Sequence, residues 1–373
     1  MMARQNQASR LDFLDGLRGW GAVVVLLCHA FSDGLPIEPK LGKHLAFWLP
    51  FNGTMAVLVF FVVSGFSLSV KYLETGDVGG WIKIAAGRYL RLAIPIFAAC
   101  ALVHIAIVTG LLDLEVERLE RFREFLKLDP TLAHLFSFSF FDVFFGDRIR
   151  ESYIPPLWTM SIELLGSCVV LATILLARPF GWRSLALVLA ASGVGLFAPT
   201  VKWQLMGLFL AGIVLADAYN RGWFERIPVY AGAALIAVGW FIPLFLVYSV
   251  FWWGIVGACS LTVGCIAVPT TRRWLSGTVS RELGRISFPL YLVHAPVIWI
   301  VGEPLTRTIG HSIASKFAID MLVVLLSFAL AYAFAPVNTF AMHTSRVFGK
   351  WLANLFISRS PVTQTTAVTS QPS

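Results

Sequence analysis

Apolar runs close to twenty residues long recur along this chain, and a run of that length fits one structure above all others. About twenty apolar residues in a helix cross the roughly 30 Å of hydrocarbon in a bilayer. Within that hydrocarbon each backbone amide must bond inside its own segment, so the runs are expected to be helices. Ten can be marked: 14–33, 50–70, 92–112, 155–177, 184–200, 203–219, 228–247, 251–270, 286–303 and 317–340. They are continuous and not alternating, which argues against a membrane β-barrel. The expected fold class is therefore all-α, a polytopic membrane bundle. Composition agrees. Only 13% of the 373 residues are charged against 57% hydrophobic, too little charge to cover the cores of a soluble chain of this size.

Charge orients the bundle. The net charge of +8 belongs with cytoplasmic loops and gives no reason to expect a nucleic-acid partner. If both termini are cytoplasmic, 18 of the 29 Lys and Arg fall inside and 11 outside; six of those 11 sit in one long connection, residues 113–154. Such long loops obey the positive-inside rule weakly, and without it the ratio is 18 to 5. The expected organisation is a short cytoplasmic start (1–13), a membrane domain of ten spans (14–340) and a cytoplasmic tail (341–373), disordered from about residue 358. No signal-peptide cleavage site interrupts the first span, which is expected to be retained. In the 113–154 connection, LLDLEVERLERFREFLKLD reads as an amphipathic interfacial helix. The aromatic stretch LFSFSFFDVFFGD is too short to span.

The first span, LDGLRGWGAVVVLLCHAF, carries polar intruders: Asp15, Arg18 and His29. Eleven residues separate Arg18 from His29, three helical turns plus about 20°, so both lie on one face about 16 Å apart. Asp15 precedes Arg18 by one turn and can pair with it. Ionisable side chains on one face of a membrane helix mark a functional interior. Glu163 in PPLWTMSIELLGS lies about 12 Å into a span that starts outside, a depth at which it could orient His29. Arg88 and Arg91 in GRYLRLAIP share a face at the cytoplasmic mouth of the third span, where two guanidiniums suit phosphates or serve as an ordinary positive-inside anchor, the reading that spacing alone favours. Ser64 and Gly65 in FFVVSGF permit close helix contact. His294 in ISFPLYLVHAP, on a span entered from the cytoplasm, is expected in the inner half. The residues alone leave two classes open, a membrane transferase and a secondary transporter.

These same stretches resemble acyltransferase family 3, the integral-membrane acyltransferases. Arg18, ten residues and His29 match its first-span hallmark. FFVVSGF resembles its second-span motif, and Arg88 with Arg91 its paired loop arginines. PLWTMSIE resembles its Leu-Trp-Ser-Leu-Ser-Val-Glu element and SFPLYLVH its late Tyr-Leu-x-His element. The chain departs after Glu163, where Leu164, Leu165 and Gly166 replace the second Glu and Phe-Tyr of many members, and at Pro95, one position later than is common.

The resemblance implies transfer of an acyl group, usually acetyl, from cytoplasmic acyl-CoA to a hydroxyl of a glycan, glycolipid or small acceptor. It implies a multi-pass protein of a bacterial inner membrane, with acyl-CoA as donor substrate and no permanently bound cofactor. On this reading His29, Glu163 and Asp15 form the catalytic set. Arg18, Arg88, Arg91, Ser64 and His294 form the donor-binding set, with His294 able to serve catalysis instead. The acceptor pocket is expected to draw on the 113–154 connection.

Overall fold

The computed structural model describes residues 11–35, 49–146, 148–177, 188–189, 191–193, 200–245 and 250–357. Among them the regular structure is entirely helical. Seven helices are long and apolar enough to cross a membrane: Asp12–Asp33, Gly53–Thr75, Val78–Val108, Pro155–Leu176, Val201–Asn220, Thr278–Ile309 and Ile313–Leu355. An eighth span results if Trp253–Ala267 and Pro269–Leu275, bent by 94°, are taken together. The expected span at 228–247 is the helix Val229–Phe245, of 17 residues, whose apolar part falls short of spanning length. The expected span at 184–200, and the tail from 358, lie largely or wholly outside the described residues.

The elements that position the site are α1 (Asp12–Cys28), α2 (Gly53–Thr75), α3 (Val78–Val108), α4 (Trp158–Ala177), α5 (Val201–Asn220), α6 (Thr278–Val297) and α7 (Ile313–Ile357). The turn between α2 and α3 is written in three residues. Gly76 ends α2 in the left-handed region, at φ 65°, and Asp77 caps α3 by accepting a bond from Gly80 N–H at 2.8 Å. As a result α3 begins fourteen residues before the expected span at 92, and Lys83, Arg88 and Arg91 are helical and not in a loop. Likewise α7 runs 45 residues, well past the expected end at 340.

Close approach fixes the two contacts that build the site. A Cβ on Gly19 would lie 2.5 Å from Gly284 N, and one on Gly284 would lie 2.6 Å from Asp15 O. The backbones of α1 and α6 therefore touch, as small residues allow in membranes. A Cβ on Gly65 would lie 2.0 Å from Phe209 O, so α2 and α5 touch in the same way.

Residues 112–131 do not form the expected amphipathic helix. They make a strap across the bundle with one 3-10 turn, Glu120–Glu124. The apolar side chains that suggested a lipid-facing stripe point inward: Leu112, Phe122 and Leu126 are 2%, 2% and 5% exposed. Leu126 adopts φ 60°, which no right-handed helix accommodates. The strap is tied down by Glu303, whose carboxylate accepts Leu119 N–H at 2.9 Å and pairs with Arg118 at 3.2 Å. Burial lowers the pKa of Arg118 from its ordinary value, against the favourable field of Glu303. The aromatic stretch after it is a short helix, Leu132–Phe145, capped by Thr131.

Candidate functional site

His29 and His294 face each other. Their rings are nearly parallel, with centroids 5.0 Å apart, and His29 Nδ1 lies 2.8 Å from His294 Nε2. From the Gly19–Gly284 contact each histidine is ten residues on (29 − 19 and 294 − 284), so α1 and α6 run parallel and in step. Each helix widens to a π-helix at this level. One π segment begins at His29 itself (His29–Gly34) and the other follows α6 at Ile298–Gly302. Such bulges recur at functional sites because they re-aim side chains.

The hydrogen bonds assign the protons. His294 Nδ1 is 2.9 Å from Leu290 O, and a carbonyl only accepts, so Nδ1 carries hydrogen. In the neutral ring Nε2 of His294 is then the acceptor, and His29 donates to it from Nδ1. The basic nitrogen of His29 is consequently Nε2, which lies 4.0 Å from Asp33 Oδ2. His294 is fully buried, and the His29 side chain is 18% exposed.

The structure departs from the expected depths in two ways. Glu163 does not orient His29, and His294 does not lie in a different half of the bundle from it. The helix α6 begins at Thr278 and not at 286, so His294 is sixteen residues in (294 − 278), about 24 Å at 1.5 Å per residue. Asp33 was not anticipated. Its spacing of four from His29 is visible in HAFSD and could have suggested it.

The other expected residues gather at the opposite end of α1, around a cavity of about 160 Å³ between α1, α2, α3, α4 and α6. Arg18, Arg88, Arg91, Ser64 and Glu163 line it, three guanidiniums to one carboxylate, so its walls carry a net charge of +2. Ser64 donates to Glu163 at 2.8 Å, and Arg18 donates to Ser64 at 3.4 Å. Arg88 pairs with Glu163 and donates from Nε to Ser167 at 2.9 Å. Asp15 stands 4.0 Å from Arg18, two-thirds exposed, and is not with the histidines. Arg91 Nη1 is buried and has no hydrogen-bond partner. On the wall nearest α6, Tyr291 and Thr159 bond at 2.8 Å, and Tyr291 donates to Pro156 O.

Two polar centres therefore occupy one helix: a basic cavity at the Arg18 end and a histidine pair eleven residues away (29 − 18), about 16 Å along the axis. The first can hold an anion. The second can accept a proton at a defined nitrogen and disperse the resulting charge toward Asp33.

Residues 11–336 match the profile of a family described as an acyltransferase domain, family 3 of the acyltransferases. Two curated relatives are similar over most of their length. One is the O-acetyltransferase PaAT-1 of Phomopsis amygdali, 24% identical over 82% of this chain and 74% of the relative. The other is BcsY of Komagataeibacter xylinus, provisionally named a membrane-bound transacylase, 24% identical over 85% of this chain and 81% of the relative. No solved structure matches the chain.

Proposed function

The chain belongs to acyltransferase family 3, and on that footing we propose that it moves an acyl group, acetyl in the first instance, from acyl-CoA to a hydroxyl, with His29 as general base. One observation carries this reading: the helix that presents His29 to His294 also presents Arg18 to the basic cavity. A donor with an anionic head and a long arm ending in a thioester matches that layout. Its phosphates suit the Arg18, Arg88 and Arg91 end, and its thioester would reach the histidine pair about 16 Å on.

At the histidines, His29 Nε2 takes the hydroxyl proton as the acceptor oxygen attacks the acyl carbonyl. The carbon–sulfur bond breaks, and the proton passes from the imidazolium to the departing thiolate sulfur. His294, tied to Leu290 O, holds His29 in the tautomer that leaves Nε2 basic. Asp33 stabilises the imidazolium. Glu163 acts in the donor cavity by holding Arg88, so its role is positioning and not the orientation of His29. Asp15 likewise steadies Arg18.

The acetyl group is supported by the relative named an O-acetyltransferase. A glycan or glycolipid acceptor, both termini in the cytoplasm and a bacterial inner membrane extend the same reading. The acceptor would enter from the strap side, where Glu115, Glu117, Glu124, Asp129, Arg123 and Lys127 line an open cavity rich in groups that bond hydroxyls.

The test is release of CoA from a panel of acyl-CoAs by the purified protein in liposomes, with and without glycan, glycolipid and small polyol acceptors. Acceptor-dependent release that His29→Ala abolishes is the expected result. Flux of an acceptor across the vesicle wall with no thioester consumed would replace this reading with transport.

A further inference from the structure

The strap contributes a side chain to the histidine site. Phe122 lies edge-on to His29, with ring centroids 5.5 Å apart at 75°, and edge-on to Trp299, at 5.8 Å and 82°. It is 2% exposed. Within the strap Phe122 meets Phe125, with ring centroids 6.5 Å apart, and its N–H bonds Leu119 O, contacts too few to fix the ring there. The strap's only regular structure is one 3-10 turn, a fragment too short to be stable alone. The hold comes from Glu303, the residue immediately after the π segment Ile298–Gly302. Its two carboxylate oxygens are divided between Arg118 and the backbone N–H of Leu119, three residues before Phe122. Both charged partners are buried, at 6% and 2% of their side-chain surface. A carboxylate in that position is costly unless fully bonded, and here both oxygens are used.

Resting on the assignment of His29 as the base, we propose that Phe122 is a positioning residue that closes one face of the His29 imidazole against water. It thereby decides whether the acyl group passes to an acceptor hydroxyl or to water. The chemistry requires such a device. An imidazole that deprotonates an alcohol beside a thioester will also deprotonate water. In that side reaction a water oxygen bonds to the acyl carbon, the carbon–sulfur bond breaks, and the proton is delivered to the thiolate, giving free acid and CoA. Restricting access to the base suppresses it. The Glu303 clamp makes Phe122 part of a fixed wall, His294 stacks on the ring as well, and the acceptor reaches His29 along the ring edge that carries Nε2.

The experiment follows both products from one labelled donor. Wild type, Phe122→Ala, Phe122→Leu and Glu303→Gln are reconstituted in liposomes with radiolabelled acetyl-CoA and the glycan, glycolipid and small polyol acceptors, and labelled acceptor and free acetate are counted separately. Phe122→Ala is expected to raise the ratio of acetate to labelled acceptor several-fold while CoA release continues. Phe122→Leu, which restores apolar bulk, should return the ratio toward wild type, and Glu303→Gln should shift it as Phe122→Ala does. A wild-type ratio in Phe122→Ala overturns the proposal. If that variant does not fold, Glu303→Gln carries the test, since it leaves the ring in place and loosens its clamp, and a wild-type ratio there overturns it equally. Failure of the underlying assignment looks different: His29→Ala would then release CoA as fast as wild type, whatever residue stands at 122.

Discussion

At the scale of single residues, the site divides into groups that act and groups that hold. His29→Ala should lower turnover by at least about a hundredfold, the usual contribution of a positioned general base. His294→Ala should lower kcat by about tenfold or more, since a base left in the wrong tautomer is a poor base. The Michaelis constant for the donor should stay near wild type, because His294 is not among the residues that line the basic cavity. Steady-state kinetics in liposomes reads both parameters. The arginines separate in the same way. Arg91, with a buried Nη1 and no partner there, should on replacement by Ala raise the donor Michaelis constant with little loss of stability. Arg88→Ala leaves Glu163 with the Ser64 bond and without its ion pair, and should destabilise the fold by about 1–3 kcal/mol, seen as a lower thermal unfolding midpoint. The spacing of Arg18 and His29 was legible in the sequence, because an eleven-residue interval fixes a face whatever surrounds it. The partner of His29 was not. Depth along a helix says nothing about which neighbour it faces, so Glu163 and His294 exchanged places. Asp33 was legible in principle at four residues from His29.

At the scale of elements, two backbone contacts set the distance between reacting groups. A Cβ at Gly19 would lie 2.5 Å from Gly284 N and 2.6 Å from Leu283 C, both backbone atoms that cannot swing aside. Gly19→Ala should therefore force α1 from α6, costing about 1–3 kcal/mol as overpacking does. Because the histidines sit ten residues along the same pair of helices, it should also lower kcat more than it raises any Michaelis constant. Thermal unfolding together with kinetics checks this, and full activity with unchanged stability would show that the two helices do not hold the pair. The helix starts at Val78 and Thr278 were hidden from a hydropathy reading, because their first turns carry Lys83, Arg88 and Arg91 in one case and Arg281 and Arg285 in the other. Charge moved the apparent boundary inward. The strap was hidden for a different reason. Its alternation of charged and apolar residues is what an amphipathic helix would show, but its charges go to Glu303 and to neighbouring loop residues, and its apolar groups go to the bundle.

At the scale of the whole molecule, the long apolar runs make the all-helical membrane bundle plain from the sequence, since so little charge leaves no soluble alternative. The number of crossings was less legible. The run at 228–247 is a short helix and the run at 251–270 bends sharply after Ala267, features that depend on neighbours and not on hydropathy. The proposed orientation puts the α2–α3 turn inside and the end of α3 outside. A cysteine introduced at Thr75 should resist a membrane-impermeant maleimide in intact cells, and one at Leu111 should react with it. The reverse pattern would invert the bundle and place the basic cavity on the wrong side for acyl-CoA.

The most direct measurement is transfer of radiolabelled acetyl from acetyl-CoA to a hydroxyl acceptor by the purified protein in liposomes, with wild type and a folded His29→Ala compared in one assay. Labelled acceptor from wild type and none above background from His29→Ala is the expected result. Labelled acceptor at the wild-type rate from folded His29→Ala would contradict the role given to the histidine pair.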